Sequence, residues 1–295
     1  MNSQIEKVIA EIRADSVHGA TFLTRKALLA IRQAVSYGLS REELQAAARQ
    51  IAAVRPMMAS LFNVSNRLLY QLDRDDHPDA VNSYCDDFLA SMEDAAHLVM
   101  EKGVKQMEGA KSILTHSYSS LVCDTLLAAA ERGRRFRVVC TESRPGREGL
   151  LLARRLCEAG IEVSVVIDAA AGHMMNEVDL VLVGADGIGS FGLVHKMGTY
   201  PIALAARDRG VAFAVLATEE KFWPYEIEEI SEPLKQAGEI AKEDGCFNVV
   251  NLYFDRTPLR KEDMVVMESA VLNGCDIRNI CERNPLHPLL KHSVG

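Results

Sequence analysis

The segment Asp179-Leu-Val-Leu-Val-Gly-Ala-Asp186 reads as a buried strand that ends in an acid. Leu180 to Val183 form an unbroken apolar run bounded by turn signals, the pattern of a central parallel strand covered on both faces. Gly-Ile-Gly-Ser-Phe-Gly192 follows, then Leu-Val-His-Lys196-Met-Gly-Thr-Tyr200. Three glycines within six residues predict a mobile loop that lets backbone approach a ligand closely. In an open parallel sheet, ligands bind at the carboxyl ends of the strands. A carboxylate there, with Lys196 ten residues on, points to a site for a phosphorylated small molecule.

Outward from this strand, apolar runs and helical patterns alternate. Ser112–Thr115, Phe136–Cys140, Ile161–Ile167 and Val211–Leu216 read as strands, and Phe247–Asn251 as the last one. Between them Ser119–Arg132, Glu148–Glu158, Ala169–Asn176 and Met197–Arg209 read as helices, with Gly160 and Gly210 as C-terminal stops. Strands alternating with helices imply right-handed βαβ units and a parallel sheet. The acid-rich stretch Tyr225–Asp244 reads as a polar helix or mobile loop with a solvated face.

The first 109 residues carry helical periodicity and little else. Ile5, Val8, Ile9 and Ile12 share one face; Phe22, Leu23, Ala27, Leu28 and Ile31 share another after a break at Asp15–Ala20. Ser40 before Arg41-Glu-Glu43 is a helix N-cap, and Arg55-Pro56 and Asp75-Asp-His-Pro78 are further breaks. The expected architecture is α/β. An N-terminal helical domain, residues 1–109, precedes a Rossmann-like parallel-sheet domain, residues 110–295.

Composition narrows the function. The 295 residues carry a formal net charge of −8, which argues against direct nucleic-acid binding. Seven cysteines are scattered without a CxxC pair, as in a reduced intracellular protein and unlike a disulfide framework or zinc site. There is no signal-like apolar segment at the start and no run of membrane-spanning length, so the cytoplasm is the expected location. GxGxxG and Walker patterns are missing, so a dinucleotide or NTP is not favoured.

Residues just after each strand converge on one sheet edge. They include His116, Ser117 and Ser119 after the first, Glu142 and Arg144 after the second, Asp186 after the fourth, and Thr218 and Lys221 after the next. Cations and hydroxyls gathered with acids at one edge suit a phosphate-bearing ligand.

Ordered motifs along the chain strengthen this reading. They are His18-Gly-Ala20; Val54-Arg-Pro56 with Ala59, Leu61 and Asn63; Ile113-Leu-Thr-His-Ser-Tyr-Ser119; and Thr141-Glu-Ser-Arg-Pro145 with Gly149. Val183-Gly-Ala-Asp186, Lys196-Met-Gly-Thr-Tyr200, Lys221-Phe222 and Phe254-Asp-Arg-Thr-Pro258 complete the set. In this order the chain resembles the translation initiation factor 2B alpha/beta/delta family, which includes ribose-1,5-bisphosphate isomerase and methylthioribose-1-phosphate isomerase. The resemblance implies a pocket for a phosphorylated sugar or nucleotide, lined by His18, Gly19, Ala20, Arg55, Ser119, Arg144, Lys196 and Lys221. It also implies a homodimer or higher even oligomer, for which Met264, Val265 and Met267 are interface candidates; their alternative reading is a core helix. Trp223 beside Pro224 is expected as a hydrophobic lid or interface anchor.

The family's isomerases convert an aldose 1-phosphate into a ketose 1-phosphate by proton transfer, using a Cys and the strand-end Asp, so the resemblance implies no metal and no organic cofactor. Here the Asp is Asp186, while Ser117 stands at the Cys position, and His195 precedes Lys196 where the isomerases have Asn. Asp186, Ser117 and His195 are therefore the candidate catalytic residues of an intramolecular aldose–ketose isomerase. The regulatory alpha subunits of the initiation factor have a similar loop without Cys. The alternative is thus a non-catalytic regulatory or assembly subunit that senses a sugar phosphate or nucleotide.

Overall fold

A computed structural model describes residues 3–15, 18–242 and 246–291. Five helices come first: α1 (Ser3–Ala14), α2 (Ala20–Ser36), α3 (Arg41–Val54), α4 (Ala59–Arg74) and α5 (Pro78–Gln106). Their caps are local. Ser40 and Glu43 form a reciprocal capping box at α3, and α5 opens with Pro78 at its first position. Apolar stripes on these helices close into one cluster around Leu28, Ile31, Ile51, Phe62 and Leu68. Trp223, Ile227, Ile230 and Leu290 complete it from the far end of the chain.

The remaining elements are β1 (Ser112–Thr115), α6 (Ser120–Glu131), β2 (Arg137–Thr141), α7 (Glu148–Glu158), β3 (Glu162–Val166), α8 (Ala171–Met174) and β4 (Leu180–Val183). They continue with β5 (Gly187–Gly189), β6 (Gly192–Lys196), α9 (Thr199–Arg209), β7 (Ala212–Leu216), β8 (Phe254–Thr257), β9 (Met264–Val266), β10 (Val271–Asn273) and α10 (Ile277–Cys281). The main sheet has the order β10-β9-β7-β4-β1-β2-β3, parallel throughout except for β10. Side chains alternate across it, as the period of two requires. Ile113, Val138, Leu180, Leu182 and Leu216 enter the core under α5 to α7; Leu114, Val139, Val181, Val183 and Val215 enter the core under α8 to α10. This double burial is why the strands read as unbroken apolar runs.

Strand order reverses at β1 and β4. From β1 the chain winds outward through β2 and β3, then returns to place β4 on the other side of β1. The crevice of a doubly wound sheet opens at such a switch point. Here it opens beyond Thr115 and Val183.

Several expectations need correction. The glycine-rich segment after Asp186 is not a loop: β5 and β6 form a tight hairpin, and β8 pairs with β6 to make a three-stranded antiparallel sheet. Gly192 has φ 117°, which the hairpin turn requires and other residues resist. Phe247–Asn251 is not a strand; Phe254–Thr257 takes that place, in the small sheet. Met264 and Val265 lie in β9 and Met267 just follows it; Val265 and Met267 are fully buried within the chain, so they are neither a helix nor a surface for a partner. Trp223 is fully buried against Gly187 and Phe191, a core residue and not a lid. In the acid-rich segment, Tyr225–Lys242 is an irregular strap that buries Ile227 and Ile230, while Glu243 and Asp244 lie outside the described residues.

Candidate functional site

The crevice at the switch point holds a cavity of about 470 Å3, the size of a small-metabolite site. Asp186, Ser117, His195, His18, Gly19, Ala20, Arg55, Ser119, Lys196 and Lys221 all line it. Arg144 does not. Its backbone N–H donates to Asp168 at 2.7 Å and its guanidinium turns toward the Glu239 carbonyl at 3.5 Å. The Asp168 carboxylate also takes the Ser143 N–H, so the backbone donors of this turn are already occupied.

Asp186 stands at the end of β4, held by its backbone. Its N–H donates to Val194 of β6 and its carbonyl accepts from Ala59 at the start of α4, each at 3.0 Å. The carboxyl has no hydrogen-bond partner among the described residues. Burial pushes its pKa up to about 6, against the pull of Lys221 and Lys196. Gly184, two residues earlier, is required by close approach: a Cβ there would lie 2.4 Å from the Ser119 Oγ. This contact keeps the β1 and β4 loops together.

Two buried histidines at this sheet edge, His116 and His195, differ in what they have left to offer. His116 Nε2 donates to the Met197 carbonyl at 2.9 Å, and its Nδ1 accepts from Thr141 Oγ1 at 2.5 Å. Both nitrogens are used, and His116 is a structural tie. His195 Nδ1 faces Thr199 Oγ1 at 3.0 Å, and that hydroxyl gives its proton to the Lys196 carbonyl at 2.7 Å. His195 must therefore donate from Nδ1, which leaves Nε2 as a bare acceptor on the cavity wall, without a partner among the described residues. Burial, with His116, Lys221 and Lys196 nearby, holds its pKa well below the ordinary value. The imidazole is neutral.

Ser117 sits in the turn after β1 at φ 66°, its N–H donating to Ser143 Oγ at 2.8 Å. No described side chain accepts from its hydroxyl, so nothing there raises its nucleophilicity. Cys123 is buried in the core and its thiol is pushed up to about 11, which removes it from proton transfer.

The cations are used unequally. Arg55, 7% exposed, places Nε on the Ile12 carbonyl at 3.1 Å. Lys196 pairs with Glu148 at 2.8 Å and lies over the Tyr253 ring, 4.8 Å from its centroid. Lys221 is 6% exposed, and no described residue accepts from its ammonium. Asn63 of α4 fixes the short turn that carries it, donating to the Glu220 and Phe222 carbonyls at 2.8 Å. The start of α6, with Ser119 and Ser120, faces the same cavity and adds the positive end of a helix. Among the described residues, no cluster of three His, Cys, Asp or Glu side chains is placed to hold a metal ion.

Glu148, Tyr253 and Arg155 also line the cavity and were not expected there. Glu148 begins the helix after β2, so sheet-edge logic extended by a few residues finds it. Tyr253 arrives from a long irregular strap and has no local signal.

The Initiation factor 2 subunit family matches residues 8–274. A Pyrococcus horikoshii protein named eIF-2B subunit 2-like is 31% identical, over 91% of this chain and 96% of its own length. A ribose 1,5-bisphosphate isomerase of Archaeoglobus fulgidus is 34% identical, over 90% of this chain and 88% of its own. The crystal structure of the Pyrococcus horikoshii translation initiation factor eIF-2B superposes with a TM-score of 0.81 at 29% identity, over 92% of this chain and 98% of that one. The chain belongs to the initiation factor 2 subunit family.

Proposed function

We propose that the cavity binds a phosphorylated sugar and that the protein is an aldose–ketose isomerase in which His195 takes the place of the missing thiol. One observation carries this reading. A carboxyl with a pKa of about 6, Asp186, and a neutral imidazole with an open Nε2, His195, line one cavity beside the Lys221 ammonium, which has no acceptor among the described residues. Lys221 and the α6 N-terminus favour the phosphate; Asp186 and His195 favour proton transfer. The 34% identity to a ribose 1,5-bisphosphate isomerase supports the substrate class.

The chemistry balances on these two groups. The protonated Asp186 carboxyl gives its proton to the ring oxygen as the C1–O bond of an aldose 1-phosphate opens. His195 Nε2 takes the C2 proton, and the released electron pair forms the C1–C2 double bond of an enol phosphate. The imidazolium returns a proton to C1. The Asp186 carboxylate takes the O2 proton as the C2 carbonyl forms, so both groups end as they began. Ser117 holds the turn and supplies a hydroxyl to the ligand.

A second reading follows from Ser117 itself. A hydroxyl without an activating base, in a chain also similar to an eIF-2B subunit 2-like protein, fits a sensor that binds the same ligand without turnover. NMR of ketose formation from ribose 1,5-bisphosphate and methylthioribose 1-phosphate separates the two: turnover abolished by Asp186→Asn supports the isomerase, and tight binding without turnover supports the sensor. In either role the chain is expected to act as a homodimer or higher even oligomer.

A further inference from the structure

Glu148 is only half used. Its Oε1 accepts from Lys196 at 2.8 Å, while its Oε2 is buried without a hydrogen-bond partner. The side chain is 19% exposed and lines the cavity; that of its Lys196 partner is 5% exposed. The carboxylate is the free end of the side chain, lying close to Gly146, where an added Cβ would stand 2.5 Å from Oε1, and a turn about its last bond presents Oε2 to a ligand in the cavity. A carboxylate oxygen withdrawn from water without a donor is unfavourable, and a ligand that brings a donor removes the penalty.

The chemistry of the wall decides what that donor is. A phosphate oxygen is an acceptor with the same sign of charge, so it is repelled. A cationic ligand group would meet Lys196, already seated on the other carboxylate oxygen. A neutral hydroxyl satisfies both partners: it donates to Glu148 Oε2, and its oxygen, or that of its neighbour, accepts from Lys196 Nζ. We infer that Glu148 is the hydroxyl acceptor of the site, selecting a phosphorylated polyol with a vicinal diol over a bare phosphate. This deepens the sugar-phosphate reading and rests on it. Glu148 acts on the choice of ligand and moves no proton in the reaction.

Calorimetric titration of the full chain with ribose 1-phosphate, 2-deoxyribose 1-phosphate and inorganic phosphate tests it as a cycle between a side chain and a ligand hydroxyl. Wild type is expected to prefer ribose 1-phosphate over the deoxy sugar by about tenfold, the usual worth of a hydrogen bond to a charged group. In Glu148→Gln that preference should shrink below about threefold, with inorganic phosphate affinity nearly unchanged. Glu148→Asp, which keeps the charge but draws it back, should also lose the preference, and it serves if the Gln variant fails to fold. A preference that persists in both variants, or an equal loss for all three probes, overturns the inference while leaving sugar-phosphate binding intact. A wild type that binds ribose 1-phosphate no tighter than inorganic phosphate overturns the sugar-phosphate reading as well.

Discussion

The Ser117 N–H donates to Ser143 Oγ at 2.8 Å, and the two serines occupy left-handed backbone turns at φ 66° and 64°. Each turn follows a neighbouring parallel strand, so one side chain locks two loops at the edge of the cavity. Ser143 Oγ also lies 3.1 Å from Thr141 Oγ1, which in turn bonds His116. Ser143→Ala leaves a buried N–H without an acceptor and is expected to cost about 1–3 kcal/mol in chemical denaturation. Unchanged stability would mean that the turn is held by other contacts.

Asp186 gives the protein a pH signature. Its carboxyl titrates near pH 6 when folded and near 3.9 when unfolded. Between those values the folded chain binds more protons, so this group's contribution to stability falls as pH rises. Above pH 6 the partly desolvated carboxylate costs up to about 3 kcal/mol. Asp186→Asn should therefore be more stable than wild type at pH 7.5, by about 1–3 kcal/mol, with the gap closing toward pH 4. Urea denaturation across this range reads it; a gap independent of pH contradicts the assignment.

Lys221 should couple to Asp186 and to the ligand. It is the strongest group opposing the rise in the Asp186 pKa. Lys221→Met is expected to move the Asp186 titration above 6 and to weaken sugar-phosphate binding by tenfold or more. An Asp186 carboxyl resonance that titrates unchanged in the variant, followed by NMR, refutes the coupling.

Gly184→Ala forces a Cβ to within 2.4 Å of the Ser119 Oγ and 2.6 Å of its Cβ. Overpacking of this kind costs about 1–3 kcal/mol. Because Ser119 caps α6, ligand affinity should fall along with the melting temperature. An alanine variant with wild-type affinity shows that the α6 N-terminus does not contact the ligand.

The βαβ core was legible because its strands are buried on both faces and its helices are amphipathic. Ser112–Thr115 and Glu148–Glu158 match the observed elements residue for residue, and the strand read over Asp179–Asp186 is observed at its apolar run, Leu180–Val183. The small sheet was not legible. Gly187, Gly189 and Gly192 read as a loop, yet they are glycines because the hairpin needs a positive φ at 192 and because Trp223 fills the space beside 187. The three-residue strands β9 and β10 are too short for any period to show. Within the site, residues at strand ends were legible from topology alone. What Arg144, Glu148 and Tyr253 do depends on Asp168, Lys196 and Glu239, partners distant in sequence, and no local pattern encodes those pairings.

The most direct measurement follows ribose 1,5-bisphosphate by 31P and 13C NMR in the presence of wild type, Asp186→Asn, His195→Gln and Ser117→Ala. The proton-transfer pair of Asp186 and His195 predicts ketose formation by wild type and Ser117→Ala, and none by the other two. Ligand bound by wild type but never converted, or turnover lost only with Ser117, contradicts it.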